Sequence, residues 1–264
     1  MSSRLVYIPA VLALSAGVGW NVGLKAQTCT PIRPDLLSWW DAGRTAESQA
    51  RDLSGRNPGS MNGGVRVVAD PGLPGPRNLP YAFQFDGSGY IDVGKQAFQF
   101  GTKPFSLEAW FASARGSAQV PHLISKSNYP VDHPGAGYWI RLSPDGQQIE
   151  FFIGETLGLP GFPNVRITSP VSPGVWHHVV GTKDAAGSVK MYLDGRPVGS
   201  DNIPPAFSVN SESPFTIGAW NDRFGIRNYA FSGHMADIST YGRALSQNEV
   251  YALFSAPKCK PGAG

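Results

Sequence analysis

A chain of 264 residues with 32 glycines, 23 prolines and only 16% charged residues has the composition of short strands joined by turns, not of a helical bundle or a disordered tail. Its 22 basic and 19 acidic residues leave a formal charge of +3, and nothing in that balance points to nucleic acid or an acidic surface as partner. The two cysteines, Cys29 and Cys259, are too few to bind zinc by themselves.

Residues 1–26 read as a secretory signal: Arg4, an apolar run from Leu5 to Val18, then small and polar residues up to Ala26. The alternative is an uncleaved anchor helix, because the uncharged stretch between Arg4 and Lys25 is nearly long enough to span a bilayer; Pro9, Asn21 and several glycines weaken it. Gln27 and Thr28 ahead of Cys29 argue against a lipoprotein signal. Cleavage after Ala26 leaves residues 27–264 as one domain, secreted or at the cell surface and free of the membrane, with 20 basic residues against 19 acidic ones. In that oxidising setting Cys29 and Cys259 most simply form one disulfide joining the two ends; two free or intermolecular thiols are the alternative.

The first strand is expected in "LLSWWDAG" (36–43). Alternation sends Trp39 and Trp40 to opposite faces, so the pair cannot be one stacking platform; one fills the core and the other packs under a loop. The proline-rich stretch 70–80 reads as a loop. Strands follow in "YAFQFDGSGYIDVG" (81–94), "FSLEAWFAS" (105–113), "GYWIRLSPDGQQIEFFIG" (137–154), "WHHVVGTKD" (176–184) and "SVKMYLDGRPVGS" (188–200). Asp194-Gly195 marks a two-residue hairpin turn, and "SPDG" (143–146) marks another turn. One helix is expected in "SQNEVYALFS" (246–255), where Ser246 and Glu249 form a capping box ahead of Val250 and Leu253.

The succession "LLSWWDAG", "AFQFDGSGYIDVG", "FSLEAWF", "VWHHVVGTKDAAGSVKMYLDGRPV", "FTIGAW" and "MADISTYGRALSQNEV" resembles the LamG-like (laminin G-like) jelly-roll domains of the concanavalin A-like lectin/glucanase superfamily. The resemblance runs from about Leu36 to Phe254. It implies an all-β fold, a two-sheet antiparallel β-sandwich, which the expected helix completes with one short C-terminal element. It also implies that the first and last strands are neighbours, which agrees with a Cys29–Cys259 pair. Lectins, adhesion modules and glycosidases all use this fold, so function has to be read from sites. The stretches 128–138 and 220–233 are longer than the family's turns, and individual function would sit there.

The glucanase branch needs carboxylates projecting from one strand. Glu150 and Glu155 come nearest, but residues five apart face opposite sides of a strand without a bulge, and no other pair among six glutamates has the spacing. His177 and His178 read as structural, and no G-x-S-x-G elbow is present. Relatives of this fold often hold a structural Ca²⁺, and the resemblance implies Asp237 as the best side-chain ligand and Asp86 as the second. The plainer alternatives are a turn role for Asp86 and an Asp237–Arg243 ion pair. Rings with guanidinium and amide groups suit a sugar face and its hydroxyls, which selects Trp220, Asn221, Arg223, Arg227 and Tyr229 in one loop and Tyr138, Trp139 and Arg141 after the other. The expected function is a non-catalytic recognition module for a polysaccharide, glycan or extracellular protein. A divergent glycoside hydrolase or a purely structural surface protein is the alternative.

Overall fold

Alternating apolar residues make these segments strands, and residues with positive φ turn them back on one another. The computed structural model describes residues 29–31, 34–45, 48–69, 71–114, 120–127, 136–155, 162–221 and 227–259, with 227 and 228 described by backbone. The expected signal segment 1–26 lies outside them. The chain runs through β1 (Leu36–Trp40), β2 (Gln49–Ala50), β3 (Gly59–Asn62), β4 (Val65–Ala69), β5 (Tyr81–Asp86) and β6 (Tyr90–Gly94). Then come β7 (Phe105–Ser113), β8 (His122–Ser127), β9 (Ala136–Leu142), β10 (Gln148–Glu155), β11 (Asn164–Pro170) and β12 (His177–Lys183). The last elements are β13 (Ser188–Leu193), β14 (Arg196–Asn202), β15 (Phe215–Ile217), β16 (Trp220–Asn221), β17 (Arg227–Asn228), β18 (Ser232–Tyr241) and helix α1 (Gln247–Ser255).

One sheet has the order β14-β13-β12-β7-β18-β5-β4, with β1 also paired to β18; the other has the order β11-β10-β9-β8-β15-β6-β3-β2. The pairings are antiparallel. This is the two-sheet sandwich that the resemblance implied, and β1 beside β18 brings the two ends of the chain together. Cys29 and Cys259 are disulfide-bonded, their Cα atoms 4.9 Å apart.

The local signals act where they were read. Asp194 (φ 50°) and Gly195 (φ 75°) turn β13 into β14. Ser246 caps α1 by accepting from the Glu249 N–H, and the Glu249 carboxylate accepts from the Ser246 N–H at 2.8 Å. Phe105, Leu107 and Phe111 of β7 meet Ile149, Phe151 and Ile153 of β10 in the main core. Gly181 of β12 is required there, since a Cβ at this position would stand 2.6 Å from the Phe151 ring. Trp40 enters the same core and stacks on Phe215 with centroids 5.9 Å apart. Trp39 points the other way, into a second cluster with Val250 and Leu253 of α1.

The outer face of the first sheet is therefore covered by α1 and the C-terminal segment, and it holds a buried polar cluster. Glu108, with no exposed surface, accepts from Lys258 Nζ at 2.9 Å, from Tyr241 Oη at 2.6 Å and from His178 Nε2 at 3.1 Å. His177 and His178 are structural, as expected: His177 Nδ1 bonds Asp194 at 2.8 Å.

Candidate functional site

The outer face of the second sheet carries the site. Because Ile149, Phe151 and Ile153 point into the core, Glu150 and Phe152 point out of it. Cross-strand register sets Glu150 against Arg141 and Thr168, and Phe152 against Trp139 and Arg166. Trp139 lies flat on Phe152, centroids 3.9 Å apart and planes within 9°. The Trp139 indole donates to Glu150 Oε1 at 2.7 Å, and Arg141 Nε pairs with the same oxygen at 2.7 Å. Arg166 holds the other carboxylate oxygen. The guanidiniums also cover the rings, Arg141 at 4.9 Å from the Trp139 centroid and Arg166 at 5.3 Å from that of Phe152. One carboxylate against two guanidiniums leaves the patch with a positive excess. The cations are the groups that solvent reaches: the side chains of Arg166 and Arg141 are 47% and 23% exposed, that of Glu150 only 10%.

A row of rings extends this patch. His122 lies 5.8 Å from Trp139, Tyr229 lies 5.7 Å from His122, and Trp220 lies 5.9 Å from Tyr229. Burial, with the charge of Arg141, holds the His122 pKa down at about 3, so the ring is neutral and its Nδ1–H donates to the Val120 carbonyl at 3.0 Å. The two stretches selected from the sequence thus adjoin. Their members differ in accessibility. Trp220 is buried, its indole donating to Ser127, and Asn221 is buried beside it. Tyr229 is half-buried and takes φ 58°. Tyr138 is corrected out of the site: it points into the core and donates to the Phe98 carbonyl at 2.9 Å. Arg223 and the Arg227 side chain lie outside the described residues; the Arg227 backbone pairs with Asn221.

Beside the guanidiniums is a groove of about 180 Å³ lined by Val120, Arg141, Gln148, Glu150 and Thr168. His122, Gln148, Arg166 and Thr168 were not anticipated. The period-two alternation of "NVRITSP", which is β11, placed Arg166 and Thr168 together on one face, and it was the available signal.

The two acidic residues weighed for hydrolysis do not pair. Glu150 faces outward, while Glu155 follows Ile153 to the other side about 17 Å along the strand, beyond the separations glycosidases use.

The two residues expected to hold calcium are engaged elsewhere in the fold. Asp86 stands opposite Ser232 on β18, five residues before Asp237, so the two carboxylates do not converge. Asp86 accepts from the Ser88 N–H and hydroxyl, each at 2.8 Å, and serves a turn. Asp237, at a bulge with φ 49°, is engaged by Arg77 on one oxygen and by the Trp39 indole at 3.1 Å on the other. Its partner is Arg77 and not Arg243, which pairs with Asp35 and Glu249. A guanidinium already neutralises this carboxylate, so the residues do not fit a shared Ca²⁺ site. Melting curves in calcium and in chelator are expected to coincide. A rise in Tm with calcium that Asp237→Ala abolishes would restore the ion.

A family model described as the concanavalin A-like lectin/glucanases superfamily matches residues 85–251. The C-reactive protein of Rattus norvegicus is 23% identical over 187 residues, covering 63% of this chain and 76% of that protein. Among solved structures, domain 4 of AbnA, a GH43 extracellular arabinanase from Geobacillus stearothermophilus in complex with arabinotriose, aligns with a TM-score of 0.61. Identity is 17%, over 83% of this chain and 98% of that one. The binding domain of botulinum neurotoxin DC in complex with SialylT aligns with a TM-score of 0.57 at 13% identity, over 83% of this chain and 51% of that one. At these identities the structural likeness speaks to the fold.

Proposed function

The chain belongs to the concanavalin A-like lectin/glucanases superfamily, and from that premise we propose that it is a non-catalytic binding module that takes carbohydrate outside the cytoplasm. The observation that carries this reading is the pair of guanidiniums, Arg141 and Arg166, fixed over Trp139 and Phe152 by Glu150 at the edge of a groove. A guanidinium has five N–H donors, and those not spent on Glu150 are preset for sugar hydroxyls. Because Glu150 holds both planes in place, little side-chain freedom is lost on binding. Tyr229 adds a half-exposed ring, and Gln148 and Thr168 add further polar partners. The arabinotriose complex of AbnA domain 4 and the SialylT complex of the neurotoxin binding domain, both similar in fold, support a saccharide as the ligand class, and the disulfide supports an oxidising compartment.

Titration against glycan and polysaccharide panels tests the reading. Arg166→Ala and Arg141→Ala are each expected to weaken binding by about tenfold, or 1.4 kcal/mol; Tm should change little in Arg166→Ala, whose side chain is 47% exposed, and fall more in Arg141→Ala, which removes a 23% exposed partner of the buried Glu150 carboxylate. Binding that both variants leave unchanged, or no binding to any saccharide, would remove the sheet face as a sugar site. Turnover of β-glucan, galactan or chitin that Glu150→Gln abolishes would replace the binding module by a hydrolase.

A further inference from the structure

A larger cleft lies away from the sheet face, where the connection between β6 and β7 passes the first strand. It has a volume of about 370 Å³, within the range of pockets that hold a small ligand. Its lining is uneven in charge. Arg56 and Lys103 are exposed on it, neither is ion-paired among the described residues, and no acidic residue lines it. Gln96 adds an exposed amide, while Phe98 and Phe100, only 8% and 6% exposed, close its base from the core side.

The connection that builds this cleft is held from several sides. Lys126 Nζ donates to the Lys95 carbonyl at 2.8 Å, Tyr138 Oη to that of Phe98 at 2.9 Å, and Lys183 Nζ to that of Thr102 at 3.0 Å. Gln99 exchanges two bonds with the Ser211 backbone, and Gly101 N–H donates to Asn210 at 2.6 Å. Phe98 itself sits at φ 54°. A bulky residue in the left-handed region persists only where its surroundings over-determine it, and such residues concentrate at ligand sites.

We propose that this cleft is a second binding site, specific for an acidic saccharide whose carboxylate or sulfate is taken by Arg56 and Lys103. The cations give the acidic group a paired partner, and the exposed Gln96 amide can meet a neighbouring hydroxyl. Rigidity of the connection keeps the ordering cost of binding low. The site is independent of the sheet face, since the two share no residue.

The test titrates the whole protein with an oligogalacturonate, a sulfated galacto-oligosaccharide and a neutral galacto-oligosaccharide of equal length. At least one charged probe is expected to bind about tenfold tighter than the neutral one, with a preference that weakens as salt rises. The double variant Arg56→Gln/Lys103→Gln should lose that preference without loss of Tm, because both side chains are exposed, while Arg141→Ala should retain it. Equal affinity for charged and neutral probes, or no binding of either charged probe, overturns the proposal. A preference that survives the double variant, or that Arg141→Ala removes instead, assigns the charge recognition to another surface and overturns it as well. Loss of neutral-sugar binding in Arg141→Ala alone would bear on the sheet face and leave the cleft standing.

Discussion

Glu108→Ala is expected to destabilise the protein by about 3–5 kcal/mol, because it leaves the ammonium of Lys258 buried without its partner. The two side chains are 0% and 4% exposed, and the charge that the alanine strands cannot turn to water without displacing the C-terminal segment. Replacing both partners by apolar residues, Glu108→Leu with Lys258→Met, should recover much of the loss, since no lone charge then remains. Equal losses in the single and the double variant would mean that packing, not the charge pair, is what the alanine disturbs.

The same cluster gives the fold an acid limit. Burial by itself would raise the Glu108 pKa, but the charge of Lys258 and the hydrogen bonds from His178 and Tyr241 outweigh it and draw the carboxyl from 4.5 down to about 2. The folded state therefore holds this proton less tightly than the unfolded chain does. The resulting stabilisation, about 3 kcal/mol, is fully present above the unfolded value and is lost as pH falls from 4.5 toward 2. Burial lowers the His178 pKa against the pull of Glu108, so its contribution too is present at neutral pH and declines below 6.5. In chemical denaturation, the difference between wild type and Glu108→Gln should shrink between pH 4.5 and 2. A difference that does not vary with pH would show that Glu108 is not ionised in the fold.

Opening the Cys29–Cys259 disulfide is expected to have the next largest effect. It closes a loop with a sequence separation of 230, for which the chain-entropy account gives about 5 kcal/mol as an upper value. At about 2–4 °C per kcal/mol for a domain of this size, Tm should fall by some 10–20 °C on reduction or in Cys29→Ser/Cys259→Ser. The bridge also stands next to two backbone bonds, Thr30 N–H to the Pro257 carbonyl at 2.6 Å and Cys259 N–H to the Thr30 carbonyl at 2.7 Å. Lys258 lies between these contacts, so the disulfide and the Glu108–Lys258 pair steady the same segment. Cys29→Ser combined with Lys258→Met should cost less than the sum of the two single losses. An unchanged Tm under reductant would mean that the backbone bonds alone keep the ends together.

What the sequence determined by itself was whatever depends on near neighbours in the chain. The Asp194-Gly195 turn, the Ser246–Glu249 capping box and the alternation of β7 and β10 each need only a few consecutive residues, and each formed where it was read. The opposite destinations of Trp39 and Trp40 followed from the same period of two. That period separates the two faces of a strand but does not say what covers either face. In "FSLEAWFAS" alternation sets Glu108 on the face opposite Leu107 and says nothing of its cover; Glu108 is wholly buried, and its partner Lys258 lies 150 residues away. Arg77 reaches Asp237 across 160 positions and takes the place given to Arg243. His122, Trp139 and Tyr229 meet because β8 pairs with β9 on one side and the His122 N–H donates to the Tyr229 carbonyl on the other, an adjacency set by tertiary structure and invisible in any one strand. The tertiary structure decided which charges found partners and which rings remained reachable, since desolvation and pairing depend on distances that only strand order and the covering layer determine.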